Sequence, residues 1–208
     1  MPIELMGKRM SNTSVKIDLI IKAGLHPALK KMGFQRNAHT FRRARENCIQ
    51  LINVQGSWTN FQDQGQFTIN LGVYFQEAAR IHGLYRVTNR PVISDCMVHE
   101  RIGNLMPDLR DFWWKFDSQS DFDELGKQVT TACLDYGIFW LEKYGTTEGA
   151  ISYAQGKGIP YWAAVFSIIQ GDLENAEKYL DTAIEKNAAN PRHKSHLESW
   201  GRAYGLIR

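Results

Sequence analysis

Residues Gln66 to Gln76 read QFTINLGVYFQ, with an apolar side chain at each odd position from Phe67 to Phe75 and with Thr68, Asn70, Gly72 and Tyr74 between them. Successive side chains on a strand point to opposite faces. The alternation therefore predicts a half-buried β-strand whose odd face is core and whose second face, exposed or covered by helices, is the main candidate for recognition.

Working outward, the segments Phe34 to Arg36, Thr40 to Ala44 and Cys48 to Gln55 read as short strands separated by turn-forming residues, a meander that the 66–76 strand joins through the loop SWTNFQDQGQ. CIQLINVQ is apolar on both faces for part of its length, as expected of a central strand covered on two sides. Before the meander, Val15, Ile17, Ile20, Ile21, Leu25, Leu29 and Met32 recur at helical spacing and Gly33 stands where a left-handed C-cap is expected. Gly24 and Pro27 are expected to kink this helix or split it, because proline removes a donor and clashes one turn back.

After Phe75 the sequence reads as irregular, then as a strand in DCMVHERIGNL ending near Gly103, then as an edge strand in Asp111 to Phe116. Helical spacing returns from Asp121, a natural N-cap, to Tyr144, and continues to the end of the chain. Within that end, residues 163–191 resemble one tetratricopeptide-type hairpin, with Ala164, Ala176, Leu180 and Ala183 at its packing positions and Asn190-Pro191 closing it. Such repeats stack in arrays, so a single unit reads as a helical cap. The expected fold is α+β: an N-terminal helix on a mainly antiparallel sheet of about five strands, closed by a C-terminal helical layer. The expected division is a flexible N-terminus (1–13), an α+β domain (14–145) and a helical extension packed on it (146–208).

A chain of 208 residues with 43% hydrophobic and 23% charged content buries a real core, and no apolar run approaches the ~20 residues that span a bilayer. MPIELMGKRMSNTS has no apolar core or small-residue cleavage site and is not read as a signal peptide, although Met6 and Met10 leave the start open. Three widely spaced cysteines, Cys48, Cys96 and Cys133, read as small buried thiols of a reducing cytoplasm. Residues 1–50 carry ten Lys or Arg against three Asp or Glu, while the rest carry 15 against 19, so the front of the chain is basic. Charge alone specifies a partner weakly, and the solvated surface is the simpler reading of it than nucleic acid.

The series LKKMGFQRNAHTFRR, NLGVYF, RIGNL and WW resembles an uncharacterised bacterial family of domains of unknown function. Its members share a leading helix, a GF…tF.R hairpin, an N.Gv strand, an RIG element and a tryptophan near the last strand. The resemblance covers residues 14–143 and brings no activity, cofactor or site residue with it.

Of catalytic signatures the chain has no G-x-S-x-G elbow, P-loop or G-x-G-x-x-G after a strand. Cys96-x-x-His99 and His193-x-x-His196 each offer two potential metal ligands and no matching second pair, and the paired aspartates near Asp108 and Asp121 sit where turns and caps explain them. No catalytic residue, metal or cofactor is assigned. The candidate surface is the even face: Asn53, Gln55, Asn70 and Tyr74, with Arg42 or Arg43 beside them. Gly72 implies a close approach to its backbone, by a ligand or, as favoured, by a packed aromatic. Arg101 either grips a ligand or stacks on a tryptophan such as Trp113, and stacking is favoured. These features point to a non-enzymatic module that binds another protein, in a narrower form a toxin-neutralising immunity protein. The alternative is a small-ligand binder or enzyme using the polar face.

Overall fold

The computed structural model describes residues 12–83 and 85–208. The expected flexible N-terminus lies outside the described residues except for Asn12 and Thr13, which begin a helix. That helix runs without interruption as α1 (Asn12–Ile20), a π-helical turn (Ile21–Leu25) and α2 (His26–Lys31). Neither Gly24 nor Pro27 breaks it. The wider turn, with the His26 N–H bonded to the Ile21 carbonyl five residues back, falls just ahead of the proline and absorbs its lost donor. Gly33, at φ 86°, ends the run as read: its N–H bonds to Lys30 and that of Phe34 bonds to Leu29, a Schellman closure.

Six strands follow: β1 (Gln35–Asn37), β2 (Thr40–Ala44), β3 (Ile49–Gly56), β4 (Gly65–Tyr74), β5 (Val98–Arg101) and β6 (Trp114–Phe116). They form one sheet in the order β1-β2-β3-β4-β5, with β6 also on β4. The pairs β1/β2 and β4/β6 are antiparallel, with Arg36 opposite Phe41 and Phe67 opposite Trp114. On β4, Phe67, Ile69, Leu71 and Val73 are all buried, as the alternation requires.

Two expectations need correction. The stretch after Phe75, read as irregular, begins with a two-turn helix, α3 (Gln76–His82), too short to carry a helical period. The strand through DCMVHERIGNL is only β5, because the chain turns into a 3₁₀ segment at Ile102–Leu105. The remaining helices are α4 (Phe122–Ala132), continued through a π-helical turn (Cys133–Ile138) into α5 (Phe139–Tyr144), then α6 (Thr147–Gly156), α7 (Pro160–Gln170), α8 (Leu173–Lys186) and α9 (Pro191–Ala203). Asp121 caps α4 by accepting from the Asp123 and Glu124 N–H groups.

The chain divides into two compact units, and β2, β3, β4 and β5 contribute residues to both. The first comprises residues 12–43, Ile52–Leu71 and Glu100–Ile138. In it a Cβ on Gly24 would lie 2.5 Å from the Gly126 carbonyl oxygen, so the N-terminal helix crosses α4 at backbone contact. The Phe67 ring is stacked at 5.7 Å with Trp114. The second unit comprises Ala44–Leu51, Gly72–His99 and Phe139–Arg208. Its core is aromatic: Phe75 meets Phe166 edge-on at 4.9 Å, and the Ile81 carbonyl accepts from both Trp200 Nε1–H and the Tyr204 hydroxyl, each at 3.0 Å.

Candidate interaction site

The second face of β4 is largely covered. Thr68 and Tyr74 are fully buried, and Asn70 and, at the start of the strand, Gln66 are half-buried. The Tyr74 hydroxyl is consumed locally, donating to the Arg86 carbonyl (2.8 Å) and accepting from the Thr88 N–H (3.1 Å). The closest approach to Gly72 is by Cys96: a Cβ there would sit 2.7 Å from its Sγ and 3.2 Å from Ile93, so a cysteine takes the nearest place, where the sequence favours a packed aromatic.

In the first unit the expected amides do meet. Asn70 Nδ2 donates to Gln55 Oε1 (2.7 Å) and to Asn53 Oδ1 (3.4 Å), and Asn53 Nδ2 donates to Thr40 Oγ1 (2.9 Å). This ladder crosses three strands and uses its own donors and acceptors on one another. Amides do not titrate at ordinary pH, so it offers hydrogen bonds and no proton chemistry. Strand alternation separates the two arginines. Arg42 shares the Thr40 face of β2, whereas Arg43 turns to the Phe41 face, is buried over the Phe34 ring at 4.4 Å and donates to the Met32 carbonyl.

Arg101 and Trp113 form a separate cluster with Asp111. The guanidinium lies 5.3 Å from the Trp113 ring centroid and donates to both Asp111 carboxylate oxygens at 2.8 Å, while Trp113 Nε1–H donates to the same carboxylate at 2.9 Å. Hydrogen bonding from Arg101 is the main cause that holds the Asp111 carboxyl below its usual value. Beside the cluster, a Cβ on Gly103 would meet the Arg110 carbonyl oxygen at 2.2 Å and the Phe112 nitrogen at 2.5 Å, so the RIG element is the place where the 108–112 loop lies against the backbone.

The sequence reading passed over the β3–β4 hairpin tip. Trp58 is 95% exposed and Phe61 72%, yet the segment is held by many hydrogen bonds. The Ser57 hydroxyl pairs with that of Thr59 (2.8 Å), and Asn60 clamps Gln66 by donating to its carbonyl (3.0 Å) and accepting from its N–H (2.8 Å). Phe61 and Gln64 exchange both backbone bonds around the two-residue turn Gln62-Asp63. Lys16 of α1 holds that turn by an ion pair to the Asp63 carboxylate (3.0 Å) and a bond to its carbonyl (2.9 Å). A groove of about 410 Å³ lies at the base of the tip, lined in part by Asn60, Gln66, Lys115 and Asp117. The available signal was two large aromatics in a loop otherwise made of polar residues and glycine.

Among the described residues no group of three or more His, Cys, Asp or Glu is placed to hold a metal ion, and no helix is long and apolar enough to cross a membrane. The three cysteines are buried thiols. Residues 25–143 match the family described as Domain of unknown function (DUF4304). No curated protein and no solved structure matches the chain.

Proposed function

Because the chain belongs to the DUF4304 family, whose description names no reaction or ligand, we propose a function from the hairpin itself: a protein-binding module that inserts Trp58 and Phe61 into an apolar pocket of another protein. The observation that supports this is a tryptophan left 95% exposed on a segment that is otherwise hydrogen-bonded in place. An indole in water gains nothing for folding, whereas tryptophan anchors dominate binding at interfaces. A tip already fixed by Asn60 and Lys16 loses little further freedom on docking. The amide ladder of Asn53, Gln55 and Asn70 adds polar contacts within the same unit. A reducing cytoplasm suits the three buried thiols. In the narrower form of this reading the partner is a toxin that the tip occludes.

The test is capture of a stoichiometric partner from lysate of the source organism, repeated with Trp58→Ala and with Trp58→Ala, Phe61→Ala. Binding that falls at least a hundredfold in the double variant while the urea midpoint holds supports the reading, that size being expected of losing a central tryptophan contact. A partner retained equally by the double variant, or no partner from any preparation, overturns it. A dimer abolished by Trp58→Ala would make the partner a second copy of the chain.

A further inference from the structure

The second unit holds a cavity of about 370 Å³ lined by His82, Tyr161, Asn190, Arg192, His193 and His196. Three elements build it. α3 supplies His82 at its C-terminal end, α7 supplies Tyr161, and the first turns of α9 supply the rest. Asn190 fixes that start by accepting from the His193 N–H (3.2 Å). Two rings, His82 and Tyr161, wall the cavity: His82 stacks on Trp162 behind it at 4.7 Å and 28°, and Tyr161 meets His82 edge-on at 5.1 Å and 61° and Trp200 edge-on at 4.9 Å.

The rim carries one guanidinium and two exposed imidazoles, and no described lining residue is a carboxylate. Burial, and then the neighbouring His196, hold His82 below its usual value, so this wall stays a neutral ring at pH 7. The volume lies in the range of small-molecule sites, which combine an apolar body with a few convergent polar groups.

We propose that this cavity binds a small flat acid, an aromatic carboxylate whose ring packs in the angle between His82 and Tyr161, face-on to one and edge-on to the other, and whose carboxylate is held by Arg192 with His193 and His196. Arginine is the side chain suited to that contact, because its planar fork matches a carboxylate. A metal ion is the poorer occupant, since the three imidazoles are not among any group placed to hold one. The site stands apart from the hairpin tip in residues and in chemistry, so neither proposal depends on the other.

Isothermal titration with 2-naphthoate and with its neutral amide, 2-naphthamide, tests it. Saturable one-to-one binding of the acid is expected, with the amide weaker by about tenfold or more, the size of one lost charged hydrogen bond. Arg192→Gln, a change at an exposed position, should weaken naphthoate by a similar factor, His196→Gln by a few-fold, and Lys178→Gln on α8 not at all. Equal affinity for acid and amide, an Arg192→Gln variant that binds as wild type does, or absence of saturable heat up to millimolar naphthoate overturns the proposal. So does Zn²⁺ binding that depends on His193 and His196 in a protein that ignores naphthoate.

Discussion

A methyl group added at Gly103 has nowhere to go, since the atoms it meets at 2.2 Å and 2.5 Å belong to backbone and cannot swing aside. Gly103→Ala is expected to lower stability by about 3 kcal/mol in urea unfolding, at the upper end for overpacking. Thr68→Val should act in the opposite sense. Its hydroxyl is buried without a hydrogen-bond partner, so an apolar group of the same shape removes an uncompensated polar atom and is expected to raise stability by about 1 kcal/mol. Asp111 supplies a pH signature. Its carboxyl is held low chiefly by the Arg101 hydrogen bond, so its contribution is present above the ordinary aspartate value and is lost as pH falls through the lowered folded value. The difference in urea midpoint between wild type and Arg101→Gln should therefore be constant above about pH 5 and shrink below about pH 4; an undiminished difference at low pH would mean that stacking on Trp113, not the ion pair, is what the variant loses. Burial acts the other way on Cys133, pushing its thiol up to about 12 and so disfavouring the thiolate.

Elements were legible where a period ran long enough to be counted. β2 spans Thr40–Ala44 as read, and β4 runs from Gly65 to Tyr74 against the Gln66 to Gln76 read for it. The seven residues of α3 give no such run, and π-helical turns leave no mark in an apolar pattern. A period also cannot say what lies over a face: the even side of β4 was readable as a face, but Cys96 reaching Gly72 is a contact from a distant segment. For the same reason the amide ladder was foreseeable from strand pairing, while the outward direction of Trp58, off any strand register, was not. At this scale Asp121→Ala removes the acceptor for two N–H groups at the start of α4 and is expected to cost about 1 kcal/mol in thermal or urea unfolding. A neutral result would mean that solvent serves those donors equally well.

For the molecule as a whole, the order of helix, sheet and helices was readable, because each long block has its own period and only short helical segments such as α3 fall among the strands. Its division into units that draw on three separate stretches of chain each was not, since that depends on contacts far apart in sequence. A chain truncated after Gly145 loses Phe166 from Phe75 and both side-chain donors from the Ile81 carbonyl. It is expected to show no cooperative urea transition and no near-ultraviolet circular dichroism from its second unit; a sharp transition in the truncated chain would contradict this. The tryptophans carry one last consequence. Of the six, Trp114, Trp140, Trp162 and Trp200 are buried and Trp113 is half-buried, which leaves Trp58 as the one indole fully in water. The intrinsic emission of the native protein should thus divide into a blue, protected majority and a red-shifted fraction that iodide extinguishes, so that occupation of the hairpin tip can be followed optically, without any label, as the disappearance of the quenchable fraction.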